Sequence, residues 1–168
     1  YKDYVKKYNN QKQEIINKHE QELKSKISFY GNELLLNSFE YIDENLKKSQ
    51  FNIDKDFNYT GLIKNIKTSI KNSTLEYNVV FVFDANFTLS ESEYNNLIKL
   101  CKDHRIYFIT TNKKIIKLFK EDNNNLITVD FNKIVGENPD YLMPDKIHLT
   151  KSGRERLSSL LKEIVLKK

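Results

Sequence analysis

The sequence predicts a three-layer α/β/α domain, in which a five-stranded parallel sheet carries helices on both faces and an amphipathic helix stands ahead of it. Three observations lead there. Five short runs rich in β-branched and aromatic residues alternate with segments of helical periodicity, the order of repeated βα units. The third run, "YNVVFVF", is apolar without interruption, as suits a central parallel strand buried on both faces. The chain has 168 residues, 39% of them hydrophobic and 12% aromatic, enough for one unit with a sizeable core.

Residues 1–26 contain no Gly or Pro and place Tyr4, Tyr8, Ile15, His19, Leu23 and then Ile27 at helical spacing, a thin apolar stripe. This segment reads as a stalk, with the α/β domain over residues 27–168. "KISFY" is the first strand, and "LLLNSFEYIDENL" follows as a helix with apolar positions 35, 36, 39, 42 and 46. "FNID" is a short second strand. "YTGLIKNIKTSIKN" then puts Leu62, Ile63, Ile66 and Ile70 on one helical face. After the third strand, "SESEYNNLIKLCKDH" opens with Ser90 and Glu93 in capping-box spacing. Strand "RIYFITT", helix "KKIIKLFKE", strand "NLITVDF" and a last helix from Thr150 to about Leu166 complete the order.

The net charge of +5 favours nucleic acid, anionic lipid or acidic wall polymer as partners, although the lysines are scattered, as on a solvated surface. No aromatic-basic RNA-binding motif and no glycine-rich phosphate loop is present, so nucleic acid is not expected. Cys101 is the single cysteine, which excludes an intrachain disulfide and a cysteine metal cluster; its helical setting predicts a buried thiol. His19 reads as a packed or edge residue and His104 as a solvated turn histidine, so no metal site and no cofactor are expected. No apolar run nears the ~20 residues of a membrane span. The chain begins at Tyr1 and its single methionine is Met143, which predicts a longer parent protein.

In a doubly wound sheet, functional groups gather at the carboxyl ends of the strands. Three polar segments lie there: "YGNE" after the first strand, "FDANF" after the third and "MPDKIHLTKSG" before the last helix. In the third of these segments, Asp145 and His148 are three apart behind Pro144, a spacing that lets a carboxylate orient an imidazole and stabilise its cation.

The order of these blocks resembles the SGNH hydrolase family, of SGNH/flavodoxin-like fold, and within it the extracytoplasmic domain of bacterial membrane acyltransferases of the peptidoglycan O-acetyltransferase type. The resemblance covers roughly residues 27–166, and "IHLTKSGRERLSSLL" is similar to that group's closing segment. In such enzymes a serine attacks an acyl carbonyl, a histidine acts as base, an aspartate orients it, and backbone N–H groups with an asparagine stabilise the oxyanion. The resemblance places His148 and Asp145 in the dyad, Asn86 in the oxyanion hole and Gly61 of "NYTGL" as a second oxyanion-hole residue. It also marks departures. Glu33 stands where the serine is expected, Asn32 where the group has Asp, and Asp84 where it has Gly.

Glu33 removes the nucleophile, and no neighbour replaces it. Ser28 lies in a strand, while Ser38 is five residues down a helix, about 7.5 Å along its axis. A carboxylate attacking an acyl group would form a reactive mixed anhydride. Placed near His148, Glu33 favours the imidazolium; placed near Asn86 and the turn N–H groups, it accepts the bonds an oxyanion would receive. Three readings follow: an impaired acyltransferase domain kept for binding or assisting a partner, a live acyltransferase or esterase using Glu33 with His148 and Asp145, and a basic module binding anionic wall polymer. The chain by itself is expected to be monomeric, and the resemblance implies an extracytoplasmic domain on the cell surface. It further implies tethering by an upstream membrane region that delivers acyl groups to a surface glycan.

Overall fold

The computed structural model describes residues 1–166. The side chains of residues 19–25 lie outside the described residues, and with them the readings of His19 and Leu23.

Five strands form one sheet: β1 (Ile27–Gly31), β2 (Gln50–Ile53), β3 (Asn78–Phe83), β4 (Arg105–Thr110) and β5 (Leu126–Asp130). Their order is β2-β1-β3-β4-β5, and every neighbouring pair is parallel. The chain therefore winds outward from β1 to one edge, returns to β3 and winds to the other edge. Its switch point lies between β1 and β3, where Gly31 is opposite Val82.

Helices cover both faces, as alternating strand side chains require. On one face Phe29, Val80, Val82, Tyr107 and Ile109 pack on α2 (Glu33–Ser38), α7 (Phe131–Glu137) and α8 (Lys151–Leu166) through Leu35, Val135, Leu157 and Leu161. On the other, Tyr30, Phe81, Phe83 and Phe108 pack on α4 (Tyr59–Lys71), α5 (Glu91–Leu100) and α6 (Lys113–Ile116) through Leu62, Ile66, Leu97 and Ile115. Each such fully buried side chain contributes roughly 1.5–3 kcal/mol from the removal of apolar surface from water. β3 is buried along its whole length, as its uninterrupted apolar run predicts.

Several elements differ from the expectation. The helix expected from residue 34 onward is broken into α2, a 3-10 turn at Phe39–Tyr41 and α3 (Glu44–Lys47). Ile42 is extended, and Asp43 caps the new start by accepting from the Asn45 N–H. Leu34 is consequently buried in place of Leu36, which is half exposed. The "KKIIKLFKE" helix stops at Ile116, where tighter three-residue hydrogen bonds take over and bring Phe119 against Tyr94 and Phe108. Packing of that ring outweighs helix propensity. α7 begins at Phe131, which the pattern assigns to a strand; Asp130 caps it by accepting from the Lys133 N–H. Ile70 faces solvent, whereas Leu62 and Ile66 are fully buried.

The leading helix α1 (Lys2–Ser25) is present, with Tyr4, Tyr8 and Ile15 of its stripe exposed. Among the described residues no helix is long and apolar enough to cross a membrane.

Candidate active site

The three polar segments meet at the switch point. Gly31 ends β1, and a Cβ there would lie 2.5 Å from Leu35 Cβ and 2.6 Å from the Val82 carbonyl oxygen. Only glycine lets the chain turn into α2 this close to β3. Asn32 follows as the N-cap of α2, and its buried side chain does more than cap. Its Nδ2 donates to Asp84 Oδ1 at 2.7 Å, and its Oδ1 accepts from the backbone N–H of Asp84 at 3.0 Å. Asp84 Oδ1 also accepts from the Asn86 N–H at 2.9 Å, closing the turn after β3. Phe87 stacks on Phe83 with ring centroids 3.8 Å apart, which anchors the far side of the same turn.

The third segment is a compact loop between α7 and α8. Leu142 bridges Leu149, the Met143 N–H donates to the His148 carbonyl at 2.8 Å, and the Thr150 N–H to the Tyr141 carbonyl at 2.9 Å. Gly153 lets the first turn of α8 lie against this loop, since a Cβ there would overlap the Tyr141 carbonyl oxygen. Asp145 holds the loop from within. Its Oδ1 accepts from the N–H groups of Ile147 and His148 at 2.9 and 3.0 Å, and its Oδ2 lies 2.5 Å from His148 Nδ1. One carboxylate both shapes the turn and orients the ring.

Glu33, the first residue of α2, completes the constellation. Its Oε2 lies 3.3 Å from His148 Nε2, so both ring nitrogens of His148 face carboxylates. In that setting both nitrogens donate, and the imidazolium is favoured. The His148 pKa is raised, chiefly by the hydrogen bond to Asp145; desolvation opposes the rise, and the hydrogen bond to Glu33 adds to it. The Asp145 carboxyl is drawn down to about 2 by the His148 ring and by the Ile147 and His148 N–H groups. The three side chains remain 37 to 46% exposed, so the cluster is a surface arrangement and not a sealed pocket.

His148, Asp145 and Glu33 are thus brought together. Asn86 lies on the turn after β3; among the described residues no hydrogen bond joins its side chain to Glu33, and the expected acceptance of turn N–H groups by Glu33 is likewise absent. Gly61 is elsewhere. It lies in the first turn of α4 with its N–H already donated to Asn58 Oδ1 at 2.8 Å, and it lines a separate hollow with Asp54, Phe57 and Lys64. An oxyanion role for Gly61 would need that N–H, which Asn58 already takes.

The serines and the lone thiol are committed to structure. Ser28 donates to Gln50 and accepts from the Glu76 N–H; Ser38 donates to the Leu34 carbonyl. Cys101 is buried, and burial pushes its thiol up to about 12. His104 is half-buried rather than solvated, with Nδ1 2.7 Å from the Glu76 carbonyl oxygen. Among the described residues no group of three His, Cys, Asp or Glu side chains could hold a metal ion. The Asn32–Asp84 couple was not foreseen as a unit. Its signal was two polar residues directly after two buried strands, where only mutual pairing satisfies them.

No protein-family model matches the chain, and no curated protein matches it. Among solved structures, the C-terminal catalytic domain of peptidoglycan O-acetyltransferase A (OatA) from Streptococcus pneumoniae, determined with a methylsulfonyl adduct, is similar with a TM-score of 0.70. The match covers 84% of this chain and 92% of that one at 15% sequence identity. The chain has the fold of that SGNH-like domain.

Proposed function

We propose that the chain is the extracytoplasmic SGNH-like domain of a membrane-tethered O-acyltransferase of cell-wall or surface glycan, in which Glu33 has replaced the nucleophilic serine and acyl transfer is impaired. One observation carries this reading: a carboxylate occupies the place in front of His148 Nε2 from which a serine hydroxyl would give up its proton.

The chemistry follows from the pairing. A general base needs a neutral imidazole with a free lone pair, and flanking carboxylates on both nitrogens stabilise the protonated form instead. Glu33 would accept an acyl group only as a mixed anhydride, which water hydrolyses readily. Asp145 and His148 then serve to anchor Glu33 and the loop before α8, and the domain is retained to bind glycan or to assist a partner that carries the acyl donor.

Hydrolysis of a small acetyl ester by the wild type, Glu33→Ser and His148→Ala tests this. No turnover by the wild type is expected, with a gain in Glu33→Ser that His148→Ala abolishes when combined with it. Wild-type turnover lost in both Glu33→Gln and His148→Ala would establish the competing reading, a live enzyme using Glu33.

A further inference from the structure

We propose that the cleft beside the Glu33–His148 pair is a binding site for the anionic groups of a polymeric glycan, held by Lys113, Lys114 and Lys146. The proposal rests on the reading of the domain as one that faces a surface glycan. The cleft has a volume of about 530 Å³ and runs between α6, α7 and the loop before α8. It reaches the site at the loop before α8, where Ile147, the residue before His148, lines it, and Ala85 of the turn after β3 lines it as well.

Its walls carry the three lysines and no Asp or Glu. Among the described residues none of the three ammonium groups takes part in an ion pair. Like charges gathered in a concave wall focus a positive potential into it, which draws and concentrates anions. Leu142 and Ile147 add apolar surface of the kind that the C–H face of a sugar ring covers.

Two features hold this wall in place before any ligand arrives. Asn112 Nδ2 donates to the carbonyls of Ala85 and Phe87 at 3.1 and 2.9 Å, and its Oδ1 accepts from the Lys114 and Ile115 N–H groups. The start of α6 is thereby clamped to the turn that carries Asn86. Lys146 has a φ of 60°, a left-handed conformation uncommon for a residue with a long side chain. The turn that presents this lysine is the one Asp145 shapes to orient His148, so the cationic wall and the histidine are set by the same bonds.

The test is equilibrium binding of the whole chain to labelled poly(glycerol phosphate), polygalacturonate and neutral dextran at low and moderate salt. Binding to at least one polyanion and not to dextran is expected, the better polyanion distinguishing phosphate from carboxylate. The variant Lys113→Gln/Lys114→Gln/Lys146→Asn, in which asparagine tolerates the left-handed φ, should bind about tenfold or more weakly with an unchanged melting curve. A control with the same charge loss elsewhere, Lys64→Gln/Lys67→Gln/Lys99→Gln, should lose less than about threefold. Equal loss in the two variants, or no polyanion binding by the wild type, would overturn the proposal. If the triple variant unfolds, Lys146→Asn alone must weaken binding for the proposal to stand. Ester turnover decides the impaired-enzyme reading separately, since none of these lysines touches Glu33 or His148.

Discussion

Asn32 and Asp84 face each other across the switch point and exchange two hydrogen bonds, side chain to side chain at 2.7 Å and backbone N–H to side chain at 3.0 Å. Through them the turn that carries Glu33 and the turn that carries Asn86 move as one body.

Breaking that couple should be costly and reversible by exchange. Asn32→Ala leaves a buried carboxyl without its side-chain donor and should lower unfolding free energy by about 1–3 kcal/mol. Asn32→Asp sets two carboxyl groups at hydrogen-bond distance and should cost at least as much at neutral pH. The exchanged pair Asn32→Asp/Asp84→Asn restores one donor facing one acceptor and should recover most of the loss in urea denaturation. A double variant no more stable than Asn32→Asp would show that the couple does not act as a unit.

His148 reports on both of its partners. Asp145→Asn should lower its pKa more than Glu33→Gln does, because the Asp145 hydrogen bond is the larger cause of the rise. Titration of the ring protons by NMR measures both, and the reverse ranking would contradict the geometry.

Linkage gives the pH dependence of stability its sign. His148 has a folded pKa above its ordinary 6.5, so its contribution is complete below that value and disappears as pH rises through the raised one. Asp145 has a folded pKa drawn from 3.8 to about 2, so its contribution is present above 3.8 and is lost as pH falls toward 2. Stability measured against pH should therefore show a wild-type advantage over Asp145→Asn that is widest between these limits and shrinks at either side.

The glycines separate structural need from chance. Gly31→Ala and Gly153→Ala would push a Cβ into the carbonyl oxygens of Val82 and Tyr141, so each should cost about 2 kcal/mol or more and Gly31→Ala should disturb the His148 resonances. Gly61→Ala meets Asn58 Oδ1 at 3.3 Å and Phe57 Cδ1 at 4.0 Å in the first turn of α4, and should change stability by less than about 1 kcal/mol either way. Thermal melts of the three variants would decide the ranking.

The sheet was legible because its inner strands β1, β3 and β4 are buried on both faces, and "YNVVFVF" reads as such a strand without ambiguity. The capping box of Ser90 and Glu93 was legible because its chemistry is local and both bonds form. The break after Ser38 was not, because Ile42 and Phe39 satisfy a helical pattern that only packing on the sheet overrules. The contact of Asp145 with His148 follows from their spacing of three residues in one tight loop. The partner of Gly61 was not legible for the opposite reason: a lone glycine carries no information about which acceptor its N–H will find, and here Asn58 captures it. Asn32 and Asp84 were visible only as two departures, since pairing across 52 residues is a property of the strand order and not of either segment.

The Glu33–His148 pair also has a meaning in time. The two residues are 115 apart in sequence, with the strands β2 to β5 between them, so their approach closes a loop that encompasses nearly the whole sheet. A growing chain holds Glu33 alone until the loop before α8 has been made and docked. The pair therefore forms only when both ends of the domain are in place, and it offers a long-range contact whose formation can be followed in a refolding experiment.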